Sequence, residues 1–466
     1  MDDPTGSSPR RSPLKQLSGL RQRVSSSQIA RRLIRNFGIG VYGALASLIV
    51  TVMRTAILTK SLSVVDFGYV VIVQNFFAFA QVFFSVRIGD VISRYYHEFS
   101  ECGDTDALRD VLMVALAIAL FTGLVLTALG AGFAEVIAES IYDNPELAPA
   151  LRVYAVSAVF ASLASFSMPI CRILDRFRVL VGWQIAGSVT ALCGLAGYLL
   201  GYGGRSIVVV VGLIAVGNAV AAVVPFGVAV VGVKEYLFAR SEVRVGVRLR
   251  EFRRSFVRLL FSTNLVGYLK SAFSQGDTFV LGVLGTPSAV AVYGVAKQLL
   301  WLLTVLQNNL SAVVTPEVTL LAAKRRWDDL RTLYRSYLLG VEGLAMAAVA
   351  ILAVAGRWVI ELVTTAQYVE AWPVSLVMAL AAAVTLVQTA SYPVGLALDR
   401  VGRFNLGLFF GIIAGVGMVG VLGASPSVLA VWQLVAALVS LGVFSVPVAR
   451  ELASRRHVVL SESEAV

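Results

Sequence analysis

At 466 residues, 58% hydrophobic and only 14% charged, the chain is too apolar for a soluble globular protein. Its net charge of +11 suggests a nucleic-acid binder until the positions of the basic residues are mapped. Only two histidines, His97 and His457, and three cysteines without CxxC spacing are present, which gives no basis for a metal site, a histidine proton relay or a disulfide framework.

Residues 1–35 are rich in Ser, Pro and Arg and have no apolar core, so they read as a basic disordered tail and not as a signal peptide. Apolar runs of about 20 residues, enough to cross a bilayer, follow at 36–59, 67–88, 111–133, 150–171, 181–201 and 207–233. A basic stretch at 234–258 interrupts them, and six more come at 259–284, 288–311, 336–356, 374–396, 404–423 and 427–449. The expected fold is an all-α polytopic membrane protein of about 12 transmembrane helices. Its N-lobe is 36–233, its linker 234–258, its C-lobe 259–449 and its C-terminal tail 450–466.

With the N-terminus placed in the cytosol, 31 of the 39 Lys and Arg residues fall in cytosolic segments. Only Lys60, Arg152, Arg205 and Arg357 lie outside, and four more lie within spans. That skew is the positive-inside pattern and predicts cytosolic termini and a plasma-membrane location. The linker then reads as a segment lying on anionic headgroups, with no role in nucleic-acid binding.

The two halves repeat. Pro169-x-x-x-x-Leu174-Asp175-Arg176 returns 224 positions later at Pro393-x-x-x-x-Leu398-Asp399-Arg400. Asp106-x-x-Arg109 is answered 222 positions on by Asp328-x-x-Arg331, and the segment from Ser63 to Tyr69 near offset 225 by that from Ser288 to Gly294. Three echoes in one order predict duplication. An even number of spans per copy makes the repeats parallel, and such transporters bind cargo where the repeats meet.

Charge within hydrocarbon is costly and marks functional candidates. Lys270 and Lys297 lie too deep for easy snorkelling, and Asp277 follows Lys270 by two helical turns. These three are expected to face a wet central cavity, the alternative being a salt bridge that locks helices seven and eight together. Arg54 and Arg87 lie nearer the span ends, where snorkelling competes with substrate contact. Glu342, like Asp277, is a candidate for ion coupling. Gln74, Asn75 and Gln81 in span two, and Gln298, Gln307, Asn308 and Asn309 in span eight, occupy equivalent helices and suit sugar hydroxyls as well as helix–helix contacts. No GxxxxGK[ST], GxSxG or HExxH occurs and the outside loops are short, so neither direct ATP drive nor an enzyme is expected, and no cofactor.

Arg54, Asp66-Phe67-Gly68-Tyr69, Gly89 and Arg94-Tyr95, then Asp277, Leu281-Gly282, Tyr293-x-x-Ala296, Pro316 and Gly402-Arg403, resemble Wzx-type polysaccharide flippases of the multidrug/oligosaccharidyl-lipid/polysaccharide (MOP) exporter superfamily. The resemblance runs from about residue 30 to 450. Leu62-Ser63-Val64 departs from the Leu-Gly-Pro common in that family. The resemblance implies a MATE-like fold, alternating access and a cationic cavity for a polyprenyl-pyrophosphate oligosaccharide. Arg54, Arg87, Lys270, Asp277, Lys297, Gln74 and Gln298 are the candidate substrate-binding residues. Expected partners are the lipid-linked oligosaccharide, membrane lipids and glycosyltransferases or a polymerase of the same pathway, with the chain functional as a monomer. A cation-coupled multidrug antiporter and a non-transporting scaffold are the competing functions. Deep charges that are mostly positive rank the antiporter second, and the cost of retaining them argues against the scaffold.

Overall fold

The computed structural model describes residues 38, 42–43, 45–84, 88–102, 104–237, 268–269, 271–300, 317–318, 321–322, 324–398 and 400–463. Among them the structure is helical and turn-linked, with nine helices or helix pairs long and apolar enough to cross a membrane. These nine coincide with nine of the twelve expected spans. The other three expected spans, 36–59, 259–284 and 288–311, each run partly outside the described residues, and each retains helix where it is described. The helices described at the twelve expected spans are α1 (45–61), α2 (Val64–Phe84), α3 (Thr105–Gly132), α4 (Ser157–Ile173), α5 (Phe177–Ala196), α6 (Ile207–Gly232), α7 (271–284), α8 (Pro287–Leu299), α9 (Trp327–Val363), α10 (Ala371–Ala397), α11 (Val401–Leu422) and α12 (Pro426–Ser440). Large apolar side chains such as Phe121, Leu339, Ile351 and Val421 stay exposed on the bundle's exterior, as lipid contact requires.

Local chemistry sets the helix starts. The Ser63 hydroxyl accepts from the Asp66 N–H at 3.1 Å and donates to its carboxylate at 2.7 Å, capping α2. Asp104 accepts from the Ala107 N–H at 3.0 Å to start α3. Thr286-Pro287 and Ser425-Pro426 begin α8 and α12 in one way: the hydroxyl caps the N–H three residues on, and proline fills the first turn, where no N–H is needed.

The repeat is visible in the backbone. Pro169 and Pro393 lie inside α4 and α10, which stop at Leu174 and Leu398. Six-to-one hydrogen bonds close both stops, Arg176 N–H to Cys171 carbonyl at 2.8 Å and Arg400 N–H to Gly395 carbonyl at 2.7 Å. Asp175, at φ +56°, takes the left-handed position that such a stop needs. A second matched pair precedes α3 and α9, Asp104 N–H to Phe99 carbonyl at 3.1 Å and Arg326 N–H to Leu321 carbonyl at 3.0 Å. The ion pairs Asp106–Arg109 and Asp328–Arg331 then recur at the same 3.8 Å separation. The third echo shifts slightly, because the cap equivalent to Ser63 is Thr286 and not Ser288. A further echo went unread in the sequence: Pro225 in α6 and Pro447, just after the π-helical turn Leu441–Ser445, lie 222 positions apart.

Core packing divides the bundle along its length. At the end carrying Lys60, Tyr142 and Tyr368, one apolar core takes residues from both halves, including Phe67, Val73 and Phe77 with Leu281, Tyr293 and Tyr368. At the end carrying Arg109 and Arg331 the cores formed by the described residues each stay within one half. One comprises first-half residues such as Ile92, Leu112, Phe166 and Ile170, and another second-half residues such as Leu330, Val394, Phe444 and Val448. Among the described residues, the halves share a core at one end and none at the other.

The joint is α2 against α7 and α8. A Cβ on Gly68 would lie 1.9 Å from the Pro287 carbonyl oxygen, so only glycine permits this crossing. Further along, Gly294 packs on Val71, and Gly282 lies against Ile72 and Tyr142. Phe79 stacks on Phe279 with ring centroids 4.2 Å apart. Lys60 Nζ donates to the Leu362 carbonyl at 2.9 Å across the same end.

Candidate functional site

Asp277, fully buried on α7, is the hub of the polar residues between the helices. Its Oδ1 accepts from Lys297 Nζ at 2.7 Å, from the Thr278 backbone N–H at 2.6 Å and from the Thr278 hydroxyl at 3.1 Å. Its Oδ2 accepts from the Tyr293 hydroxyl at 2.7 Å and from the Gln433 side-chain amide. Lys297 also donates to the Ser274 carbonyl at 2.7 Å and the Thr278 hydroxyl at 3.0 Å, so all three ammonium protons are engaged. The ion pair joins α7 to α8, and Gln433 draws in α12.

Two features distinguish this cluster from a sealed structural bridge. The Lys297 side chain is 31% exposed while that of Asp277 is 0% exposed. The next residue, Gln298, accepts a hydrogen bond from Thr55 of α1, beside Arg54. The cation is therefore partly exposed, its counter-ion is fully buried, and the next residue along α8 contacts the first half.

Asp277 does not face open space, as the sequence reading expected. It is enclosed by four neighbouring groups, and the alternative of a salt bridge between helices seven and eight describes its geometry better. Lys297 is consequently not an unpaired cation. Arg54 has no carboxylate partner among the described residues. It is half-buried and interacts electrostatically with Tyr154, whose hydroxyl accepts from Asn218 at 3.4 Å. Arg87 and Lys270 lie outside the described residues, as do Gln307, Asn308 and Asn309.

A cavity of about 290 Å³ opens between α2, α4, α5 and α6, lined in part by Gln74, Gln81, Tyr154, Ser157, Gln184 and Asn218. Of these, the sequence reading singled out only Gln74 and Gln81. Asn75 instead crosses to the second half, donating to the Gln275 carbonyl at 3.4 Å. Glu342 lies on α9 with a buried Oε2 that has no hydrogen-bond partner among the described residues. At the joined end, burial raises the Tyr142 and Tyr368 phenols above their ordinary range, so both stay neutral within the packing. The described residues contain no cluster of potential metal ligands, and Cys171 and Cys193 are free thiols.

Sequence reasoning missed Thr278, Tyr293 and Gln433 as partners of Asp277. Gln433 carried a signal, being a lone amide in an apolar helix. The pairing of Tyr293 with Asp277 did not, because it depends on how two helices dock.

The fold is that of a multi-pass α-helical membrane protein. Residues 57–373 match the family model described as "Polysaccharide biosynthesis protein", and the chain belongs to that Wzx-type flippase family. Solved structures share the fold at low identity. An inward-facing multidrug resistance MATE transporter of the MOP superfamily is 16% identical, with TM-score 0.65, over 91% of this chain and 99% of its own. The lipid II flippase MurJ, inward closed, is 14% identical, with TM-score 0.67, over 91% of each chain. An outward-facing MATE transporter is 15% identical, with TM-score 0.58, over 91% of this chain and 95% of its own. No curated protein matches the chain in sequence.

Proposed function

We propose that the protein moves a polyprenyl-pyrophosphate-linked oligosaccharide from the cytosolic to the outer leaflet of the plasma membrane by alternating access, for surface glycan assembly. The observation that carries this reading is Lys297, a cation 31% exposed and held by a fully buried carboxylate. An isolated ammonium in the membrane interior would be strongly disfavoured, and Asp277 offsets that cost while no cargo is bound. A pyrophosphate oxygen competes for the same ammonium as a charge-assisted acceptor, and Arg54 supplies a second cation. Arg87 and Lys270 are assigned to the same anion path by the sequence alone.

The lobes are 36–233 and 259–449, joined by 234–258, with tails at 1–35 and 450–466. With the termini in the cytosol, the cores confined to one half lie at the cytosolic face and the shared core at the outer face, an inward-open arrangement. The protein performs no covalent chemistry, acts as a monomer and works beside the glycosyltransferases or polymerase of its pathway.

The cation antiporter is disfavoured at Asp277, because five donors from four residues already fill the carboxylate's acceptor sites. One observation keeps ion coupling in view: the unpartnered buried oxygen of Glu342 is suited to proton uptake. Liposome translocation of a labelled polyprenyl-pyrophosphate oligosaccharide tests the assignment. Lys297→Ala should abolish movement and Lys297→Arg restore part of it. Full activity in Lys297→Ala would refute the role of this cation.

A further inference from the structure

Resting on the transport reading above, we propose that the cavity between α2, α4, α5 and α6 is a subsite for one uncharged sugar ring of the cargo, separate from the Lys297 anion site. At about 290 Å³ it has room for a sugar ring. No Asp, Glu, Lys or Arg is among its described lining residues. A cation placed there would meet no carboxylate among the described lining residues, which disfavours organic cations.

The polar lining is amide and hydroxyl, from Gln74, Gln81, Tyr154, Ser157, Gln184 and Asn218. The side-chain amides of Gln81 and Gln184 have no hydrogen-bond partner among the described residues. Gln74 and Asn218 are held only by long bonds of 3.3 and 3.4 Å. Each amide offers donors and an acceptor, and each sugar hydroxyl both donates and accepts, so the two sets are complementary. An acyl chain in the same space would leave these amides unsatisfied. Phe77 and Phe160 add aromatic surface for the C–H faces of a ring. Arg54, which interacts electrostatically with the lining residue Tyr154, places a cation beside the subsite for the adjoining pyrophosphate.

Binding by the full-length protein in detergent micelles tests this, using two fluorescent short-chain polyprenyl pyrophosphates, one bare and one carrying a single neutral hexose. Wild type should bind the hexose probe about tenfold more tightly. Gln81→Leu and Gln184→Leu should each reduce that preference about five- to tenfold, the effect of losing one or two hydrogen bonds, and leave bare-probe binding unchanged. Gln184→Asn, which keeps the amide, should lose less. Lys297→Ala should weaken both probes alike. Equal wild-type affinity for the probes, or leucine variants that leave the preference intact or weaken both probes equally, would overturn the subsite. If Lys297→Ala still weakens both probes in that case, the transport reading stands without it. Binding of tetraphenylphosphonium and of neither pyrophosphate would remove both.

Discussion

Lys297 and Asp277 are unequal partners, and that inequality governs what their removal should do. Asp277→Asn leaves an ammonium that is 31% exposed and can turn toward open space, whereas Lys297→Met leaves a carboxylate with no exposure at all. Breaking a buried pair costs about 3–5 kcal/mol, chiefly through the uncompensated charge. Lys297→Met should therefore lower thermal stability more than Asp277→Asn, and the double variant should recover much of the loss. Melting in detergent across this mutant cycle checks the order. A double variant as unstable as the two losses combined would show that the residues do not act as a pair. Glu342→Gln belongs at this scale too. If Glu342 takes up the coupling proton, the variant should retain cargo binding while losing the response of transport to a pH gradient.

At the scale of the helix, the crossing of α2 over α8 is fixed by Gly68. Gly68→Val would drive a side chain into the Pro287 carbonyl and cost about 1–3 kcal/mol in that contact. The variant should favour the state opened at the Lys60 end, read as faster labelling of a cysteine placed at Phe279 by an impermeant maleimide added on that side. Unchanged labelling would mean that α2 and α8 do not form the barrier. Most of this level was legible in sequence. Hydropathy located the spans, and the Pro-x-x-x-x-Leu-Asp-Arg echo marked two real helix stops with matching hydrogen bonds. Nothing in the sequence marked Gly68 as the tight crossing among 40 glycines, because a close approach is a property of two helices. The encirclement of Asp277 escaped for the same reason. Tyr293 lies 16 positions from it and Gln433 lies 156 away, so only docking brings them together.

At the scale of the molecule, a core shared by both halves at one end and cores confined to one half at the other, among the described residues, describe a structure that can pivot. Apolar packing at the Lys60 end must separate for the opposite state to form, while the cores at the other end can stay intact within each half. A cross-link over the joint should therefore stop the cycle. A Cβ on Gly294 would lie 4.0 Å from the Val71 Cβ, within the range that suits a disulfide. In a background without native cysteines, Val71→Cys with Gly294→Cys should lose transport on oxidation and regain it on reduction. Transport by the oxidised form would contradict alternating access through this interface.

The central claim concerns what crosses the membrane. The most direct test reconstitutes the wild-type protein alone in liposomes and follows a labelled polyprenyl-pyrophosphate oligosaccharide between leaflets, with uptake of an organic cation measured in parallel. Movement of the lipid-linked sugar without cation uptake is the predicted result. Cation uptake driven by an ion gradient, with no lipid movement, would contradict the account.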